Sequence, residues 1–599
     1  MAQPRTTDAE LRRTARLLVK HKGDRAKVGI ALGITTAAVT TRISVIRTRL
    51  PDVVLPPNRV GGYPKLGADK LAEAMQALEK HGTKSAAARS LGIPIPTFDH
   101  RIVSAEQRGW QPRGSVTARR AVKRPLPKGR KIARYILTCA QSDTKLHEPT
   151  WKALNALAAH YNAEIMVSTF TYRHRQEGSA KRGTATGTGD ADQYDPRIEP
   201  FVVDEMVELG NGLLWNGHLN TLPTATDPLS GMQNYNGRAS GIFPHAKLAM
   251  QSVAAVRTQP AKLQYTTGAA TQLNYIAKKA GQKAEFDHVF GGLLVEVNSK
   301  GHWWVRQLMT DRKGRIYDLD WCATPSVEGD HYVVCPSIGA EAITWGDIHV
   351  AHLEPKVVAL CWGEGGVLDT LRPRFQLLHD VLDFESRSHH NRRDPHKLFE
   401  LHARGKENVR AEVVAVGGFL EKSKRDWCKS VVVQSNHDLH LERWLKEADW
   451  RLDPVNAEFF VDAQVAYLAA IRAGRSFNAL RWAVAKYNPV KGVRFLEGDE
   501  SFVICRDAGG GIECGLHGDK GPNGSRGSLR NLARIGRKVN IGHGHGAGIF
   551  NGGWQAGLMA QLLLPYGVGA PSNWTQSFIV THPNGKRQMC TIFEGRWRA

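Results

Sequence analysis

No Cys-x-x-Cys pair occurs in this chain, although it carries eight cysteines: Cys139, Cys322, Cys335, Cys361, Cys428, Cys505, Cys514 and Cys590. That scatter excludes a zinc knuckle and a disulfide framework, and it fits a reducing cytoplasm. No apolar run approaches the ~18 residues that suggest a membrane span. The opening MAQPRTTDAELRR has no apolar segment of the secretory kind, so no signal peptide, anchor or membrane partner is expected. The glycine-rich stretch GTATGTGDAD at 183–192 lacks a following Gly-Lys-Ser or Gly-Lys-Thr. It reads as a flexible loop and not as a phosphate cradle.

What is present starts with an uneven charge. The net charge is +24, and residues 1–135 hold 28 Lys/Arg against 9 Asp/Glu, whereas the rest holds 53 against 48. A basic N-terminal module is therefore joined to a nearly balanced body. Concentrated positive charge gains affinity for a polyphosphate by releasing its counterions, although a solvated basic tail has the same composition. With 599 residues, two to four domains are expected.

The basic module contains a repeat. Leu32-Gly33-Ile34 matches Leu91-Gly92-Ile93, and Arg42-Ile43 matches Arg101-Ile102, at a constant offset of 59 residues. Each copy reads as a helix, a short Ala-rich helix, a turn at Gly and a further helix. The copies resemble the small helix-turn-helix units of bacterial regulators. That resemblance implies that Thr35, Thr36, Thr40 and Arg42 face DNA in the first copy, and Thr97, His100 and Arg101 in the second. A packing or oligomerisation module is the competing reading of Ala-rich helices.

Residues 107–131 mix Pro, Gly and basic residues without periodicity and read as a basic linker. A strand pattern at 133–139, a helix (TWKALNALAAHYN) and a second strand (AEIMVSTF) form one β-α-β unit, so the region 132–340 is read as α/β. Further strands follow there (GGLLVEVNS, HWWVRQLMT), without a chemical motif.

From residue 341 onward, ligand-type residues sit just after short apolar runs, at strand ends where open α/β sheets place their sites. AITWGDIHVAH gives Asp347 and His349; FQLLHDVLDFESRSHHN gives Asp380 and Asp383; SVVVQSNHDLH gives Asn436, His437 and Asp438. GIECGLHGD gives His517, and KVNIGHGHGAG gives His543 and His545. Such nitrogen and oxygen donors suffice for two divalent cations and suit manganese, iron or zinc better than a soft-metal site. The neighbouring glycines (Gly346, Gly515, Gly518, Gly542, Gly544) are expected to let backbone approach the ions. His389, His390, Arg392 and Arg393 read equally as a phosphate path or as a solvated charged loop.

The order of these motifs resembles the calcineurin-like metallophosphoesterase superfamily, including its Mre-type and SbcD-type DNA repair nucleases. The pattern there is D-x-H, G-D-x-x-D, G-N-H-D/E, H and G-H-x-H, and the resemblance covers roughly 341–599. Two positions depart: His379 stands for the Gly before Asp380, and Ser435 for the Gly before Asn436. The resemblance implies that Asp347, His349 and His545 bind one metal, that Asn436, His517 and His543 bind a second, and that Asp380 bridges them. It makes His437 the group that contacts phosphate and protonates the leaving oxygen, with Asp438 orienting its imidazole, and gives Asp383 a structural part. Manganese is the expected metal, with magnesium, iron or zinc as alternatives.

The expected architecture is α/β: a tandem helix-turn-helix region (1–106), the linker (107–131), an α/β region (132–340) and a metallophosphoesterase β-sandwich flanked by helices (341–599). TQSFIVTHPNGKRQMCTIFEGRW closes it as a β-hairpin around Pro-Asn-Gly. The expected function is DNA phosphodiester hydrolysis. A protein phosphatase or nucleotide phosphodiesterase localised by a DNA-binding arm is the alternative, and a DNA-binding regulator with a vestigial hydrolase fold is a third reading, which His437 argues against. The layout is also similar to the first-step-transfer nucleases of tailed phages, which implies action in a host cytoplasm. Homo-oligomerisation is left open.

Overall fold

The computed structural model describes residues 6–56, 68–107, 121–127, 129–172, 194–256, 258–329, 331–508 and 510–599. The loop 183–192 and most of the basic linker lie outside the described residues. The fold is mixed α/β and divides into two units, Met1–Arg119 and Arg120–Ala599. Among the described residues no single helix is long and apolar enough to cross a membrane.

The first unit is helical. Thr7 and Glu10 cap each other reciprocally and start helix Asp8–Lys20. Asp24 caps Arg25–Leu32 by accepting the amides of Ala26 and Lys27. Gly33 ends that helix at φ +65°, a conformation that costs other residues strain, and Thr35 caps the next helix, Thr36–Arg49. The last two helices meet at 100°, within the helix-turn-helix range. Leu18, Val28, Val39 and Ile43 pack at their junction. Helices Ala68–His81, Lys84–Ser90 and Ile95–Gln107 repeat the arrangement around Met75, Ala87, Phe98 and Ile102.

In the second unit, four parallel strands lie in the order Val493–Phe495, Lys429–Val433, Phe375–His379, Ala342–Asp347. The antiparallel pair Ser577–Thr581 and Arg587–Thr591 extends this sheet, with the turn through Pro583-Asn584-Gly585. Side chains alternate between the faces. Ile343, Leu378 and Val432 pack against helices such as Pro355–Trp362, Val409–Ser423 and Asp438–Glu447. Ala342, Leu377, Val431 and Val433 face Ile504, Ile512 and Cys514 of a second sheet. The sheet is thus covered by helices on one side and by β-structure on the other.

The second sheet overturns the expected boundary at residue 340. Among the described residues it has eleven strands, and Met250–Val253 pairs with Gly548–Phe550 at its centre. The β-α-β unit (Ile132–Gln141, Glu148–Tyr161, Glu164–Phe170) exists, but its four-stranded sheet shares a core with Ile579 and Met589 of the C-terminal pair. Residues 132–340 and 341–599 are therefore one unit. The linker's end is also structural, since Val122–Lys123 pairs with Val207 and Glu208.

Below that shared core lies a charged network. Arg306, fully buried, donates to Glu296 at 2.7 Å and to Asp318 at 2.8 and 3.0 Å. Arg134 adds a bond to Glu296, and Tyr161 and Gln588 add bonds to Asp318.

Candidate metal centre

Asp347 is the last residue of its strand, and Asp380 follows directly on Phe375–His379. Asn436 and His437 lie between Lys429–Val433 and helix Asp438–Glu447. Because these three strands are parallel neighbours, their carboxyl ends share one edge of the sheet. From the second sheet, His517 follows Ile512–Glu513, while His543 and His545 follow Lys538–Ile541, and these two strands are also parallel neighbours. The motifs of both halves thereby meet at one place.

The turns that bring them there are strained. His349, Asp380, His543 and His545 have φ of 46°, 48°, 68° and 53°, a left-handed conformation that costs a non-glycine residue roughly 1–3 kcal/mol. Such strain persists where the surroundings over-determine the backbone, and it gathers at functional sites. Gly542 has a different duty from the one expected. A Cβ there would lie 2.3 Å from Asp347 Oδ1, so its bareness admits the Asp347 carboxylate, which accepts the His543 amide at 2.9 Å.

Asp347, His349, Asp380 and His545 are all buried, each offering one ligand atom within 4.8 Å of the others. Asp347 Oδ2 stands 3.1 Å from His545 Nε2, and His349 Nε2 stands 3.3 Å from His545 Nε2 and 3.7 Å from Asp380 Oδ2. On the other side of Asp380, His517 Nε2 lies 3.4 Å from Asp380 Oδ2 and 3.1 Å from Asn436 Oδ1. The His543 ring packs edge-on against His517 at 5.2 Å. All seven expected ligand residues are therefore gathered around Asp380 and Asp347.

This arrangement fits a divalent cation. Among the described residues Asp380 Oδ1 is buried without a hydrogen-bond partner, a state that is costly in a protein interior, and Asp347 Oδ2 meets the His545 imidazole at 3.1 Å. Burial and Asp380 push the Asp347 carboxyl up, but His545 and His517 outweigh them and hold it below its ordinary value. Burial also pushes Asp380 up, and His517, His437 and His349 bring it well below. Two adjacent buried carboxylates that stay ionised need positive charge between them. The nitrogen and oxygen donors suit manganese, iron or zinc.

His437 does not take its carboxylate from Asp438 as expected. Its Nδ1 lies 3.4 Å from Asp383 Oδ1 and 3.2 Å from the Asp383 carbonyl. Asp438 opens a helix, and its Oδ1 turns to the 380–383 loop to accept the Leu382 amide at 3.0 Å. Burial pushes the Asp438 carboxyl up to about 7. Burial lowers the proton affinity of His437, but Asp380 and Asp383 raise it to about 10. Asp383 also stands 2.9 Å from His349 Nδ1 and 3.4 Å from His352 Nε2, so one carboxylate orients three imidazoles. His352 and Glu385, 3.4 Å apart, extend this layer, and sequence reasoning missed them because their motif positions carry no family signature.

Beside His545, the Trp574 ring packs edge-on at 4.8 Å. Trp574 lines a cavity of about 580 Å³ together with Trp303, Phe593, Arg238 and Lys262.

In the helical unit, Thr36, Thr40, Thr97 and His100 are exposed, whereas Arg42 and Arg101 turn inward. Arg42 Nη1 donates to Thr14 Oγ1 at 3.4 Å, and Arg101 pairs with Glu73 at 3.5 Å with its side chain 12% exposed. The reason is periodicity: Arg42 follows Val39 by three residues on the buried stripe of its helix. Ser44 and Arg47 share the outward face with Thr36 and Thr40, and the same spacing would have identified them.

The chain is 38% identical over 486 residues to "Protein A1" of Escherichia phage T5, covering 78% of this chain and 83% of that protein. No family profile and no solved structure matches it.

Proposed function

The chain belongs to the family of Protein A1 of Escherichia phage T5, and from that premise we propose that it is a phage metal-dependent deoxyribonuclease with a metallophosphoesterase arrangement of its two facing sheets. One observation carries the reading: the buried Asp347–His349–Asp380–His545 constellation at the carboxyl ends of strands, with Asp380 Oδ1 lacking a hydrogen-bond partner among the described residues. In this reading Asp347, His349, Asp380 and His545 hold one divalent cation. Asp380, Asn436, His517 and His543 hold a second. Manganese suits both sets of donors, with magnesium, iron or zinc as alternatives. Bound cations would supply Lewis-acid stabilisation of charge on a phosphoryl group and a more acidic water.

The chain's own residues do the rest. His437 is kept protonated near neutral pH by Asp380 and Asp383, so it can hold a phosphate oxygen and give its proton to the leaving oxygen. Asp383 fixes the orientation of that imidazole and of His349. The cavity beside Trp574 offers aromatic surface for a nucleotide next to the reacting phosphate. DNA is favoured over a small phosphate ester by the basic helical unit, whose outward faces carry Thr36, Thr40 and Arg47 in one repeat and Thr97 and His100 in the other. Action on DNA in the cytoplasm of an infected bacterium follows from this reading.

Circular and linear DNA incubated with the purified protein and Mn²⁺ or Mg²⁺ test it. Cleavage that stops on chelation is expected, and the circular substrate separates endonuclease from exonuclease action. Hydrolysis of nitrophenyl phosphate with DNA left intact would overturn the nuclease reading in favour of a phosphatase or nucleotide phosphodiesterase.

A further inference from the structure

A second histidine cluster lies beyond His437, outside the ligands assigned above. His440 sits one helical turn after His437 on helix Asp438–Glu447, and the two rings are 4.8 Å apart. Against His440 stand His389 at 4.9 Å and His390 at 6.1 Å, and His389 and His390 themselves are 3.7 Å apart. One ring nitrogen from each of the three lies within 4.8 Å of the others. His440 is 9% exposed, and both its Nδ1 and that of His389 are buried with no hydrogen-bond partner among the described residues.

The segment that presents His389 and His390 is held firmly. Arg387 makes a two-pronged pair with Asp453 at 2.6 and 2.8 Å, Ser386 is bound through its amide and hydroxyl to Glu412, and Asn391 Nδ2 donates to the Glu385 carbonyl. His440 is fixed by its helix. The three imidazoles therefore meet because two rigid elements place them together, which is how a ligand site is preorganised.

We propose that His389, His390 and His440 form a separate site for a borderline transition-metal cation, of which zinc is the clearest case. Two buried ring nitrogens without partners are lone pairs or N–H groups left unused, and a cation satisfies them where no protein group does. Burial lowers the proton affinity of His440 to about 3 and also lowers that of His389, which leaves both as neutral rings, the form that ligates. The nearest basic groups do not compete for that role, since Arg392 and Arg443 are both engaged by Glu447 at 2.6 and 2.8 Å. An all-imidazole donor set selects zinc, nickel or copper over manganese or magnesium, which prefer carboxylate oxygens. The site thus differs in metal preference from the Asp347–Asp380 centre, and it stands whether or not the chain cleaves DNA. When filled, it places positive charge one ring away from His437, where an anionic ligand gains.

Zinc bound per chain, measured after loading the metal-free full-length protein and removing excess, tests the proposal. Wild type is compared with His390→Ala and His440→Ala. His390 is exposed, so its truncation leaves the fold intact even if loss of His440 does not. Wild type should retain one zinc more than either variant, while manganese uptake by His390→Ala stays at the wild-type level. Equal zinc in wild type and His390→Ala would overturn the proposal. Loss of manganese uptake in wild type itself would instead count against the centre around Asp380, so the two readings fail separately.

Discussion

Two places in the second unit bury carboxylates completely, and they answer that charge in opposite ways. Around Arg306, the carboxylates of Glu296 and Asp318 receive bonds from Arg306, Arg134, Tyr161 and Gln588. No side-chain atom of Arg306, Glu296 or Asp318 is among the buried polar atoms that lack a partner, counted over the described residues. Around Asp380, its own Oδ1 is buried without a hydrogen-bond partner among the described residues, and imidazoles crowd in with nitrogen facing nitrogen, as in the 3.3 Å approach of His349 to His545. The first network carries its own cation in a guanidinium. The second answers its anionic oxygens with imidazoles, those of His517, His437 and His349, which carry charge only while protonated. At Glu412 burial outweighs the bonds from the Ser386 amide and hydroxyl and pushes the carboxyl up to about 8, so it keeps its proton at neutral pH. The difference teaches that burial of charge alone does not mark a functional site; the unmet partner does.

The largest expected effect breaks the satisfied network. Arg306→Ala strands Glu296 and Asp318 and should cost roughly 3–5 kcal/mol of stability, read from denaturant unfolding. Asp380→Asn in metal-free protein should cost less than Arg306→Ala, because the imidazoles set against Asp380, those of His517, His437 and His349, can give up their protons when the carboxylate is removed, which a buried guanidinium cannot. Equal losses from the two substitutions would erase the distinction.

His437→Ala sharpens the comparison within the second place. It should lower single-turnover DNA cleavage by roughly 100-fold or more, the usual size of a lost general acid, with bound metal unchanged. His543→Ala should lower metal content and cleavage together. Asp383→Asn should act as a milder His437→Ala, and Asp438→Asn should leave the His437 imidazole oriented, since the carboxylate set against that ring belongs to Asp383. Loss of metal from His437→Ala with a near-normal rate per occupied site would reassign that histidine.

The smallest effect concerns the other unit. Removing residues 1–119 keeps the strand Val122–Lys123 in its sheet. The truncated protein should hydrolyse a small phosphodiester normally while binding long DNA about 10-fold or more weakly at low salt, with a shallower dependence on ionic strength. Equal affinity of the two proteins at low salt would remove DNA from the role of that unit.

Much of the centre was legible from residues alone. Asp347, Asp380 and Asn436 follow apolar runs, and those runs are adjacent parallel strands. The two three-helix repeats were legible through the turns at Gly33 and Gly92, both of which have positive φ. The shared core was not, because Gln251 pairs with Gly548 across nearly half the chain, and local pattern carries no information about such pairing. Nor was Asp383's hold on three imidazoles legible, since it depends on where two loops converge. The inward turn of Arg42 was available from helical periodicity, but the resemblance to DNA-reading helices outweighed it.

Asp380 is the meeting point of the proposed cation centre. Anomalous scattering from crystals of the protein loaded with Mn²⁺ reads this most directly. Manganese peaks within bonding distance of the Asp380 carboxylate, flanked by His349 and His545 on one side and by Asn436 and His517 on the other, are the predicted result. A map from manganese-saturated crystals with no peak at Asp380 would contradict it.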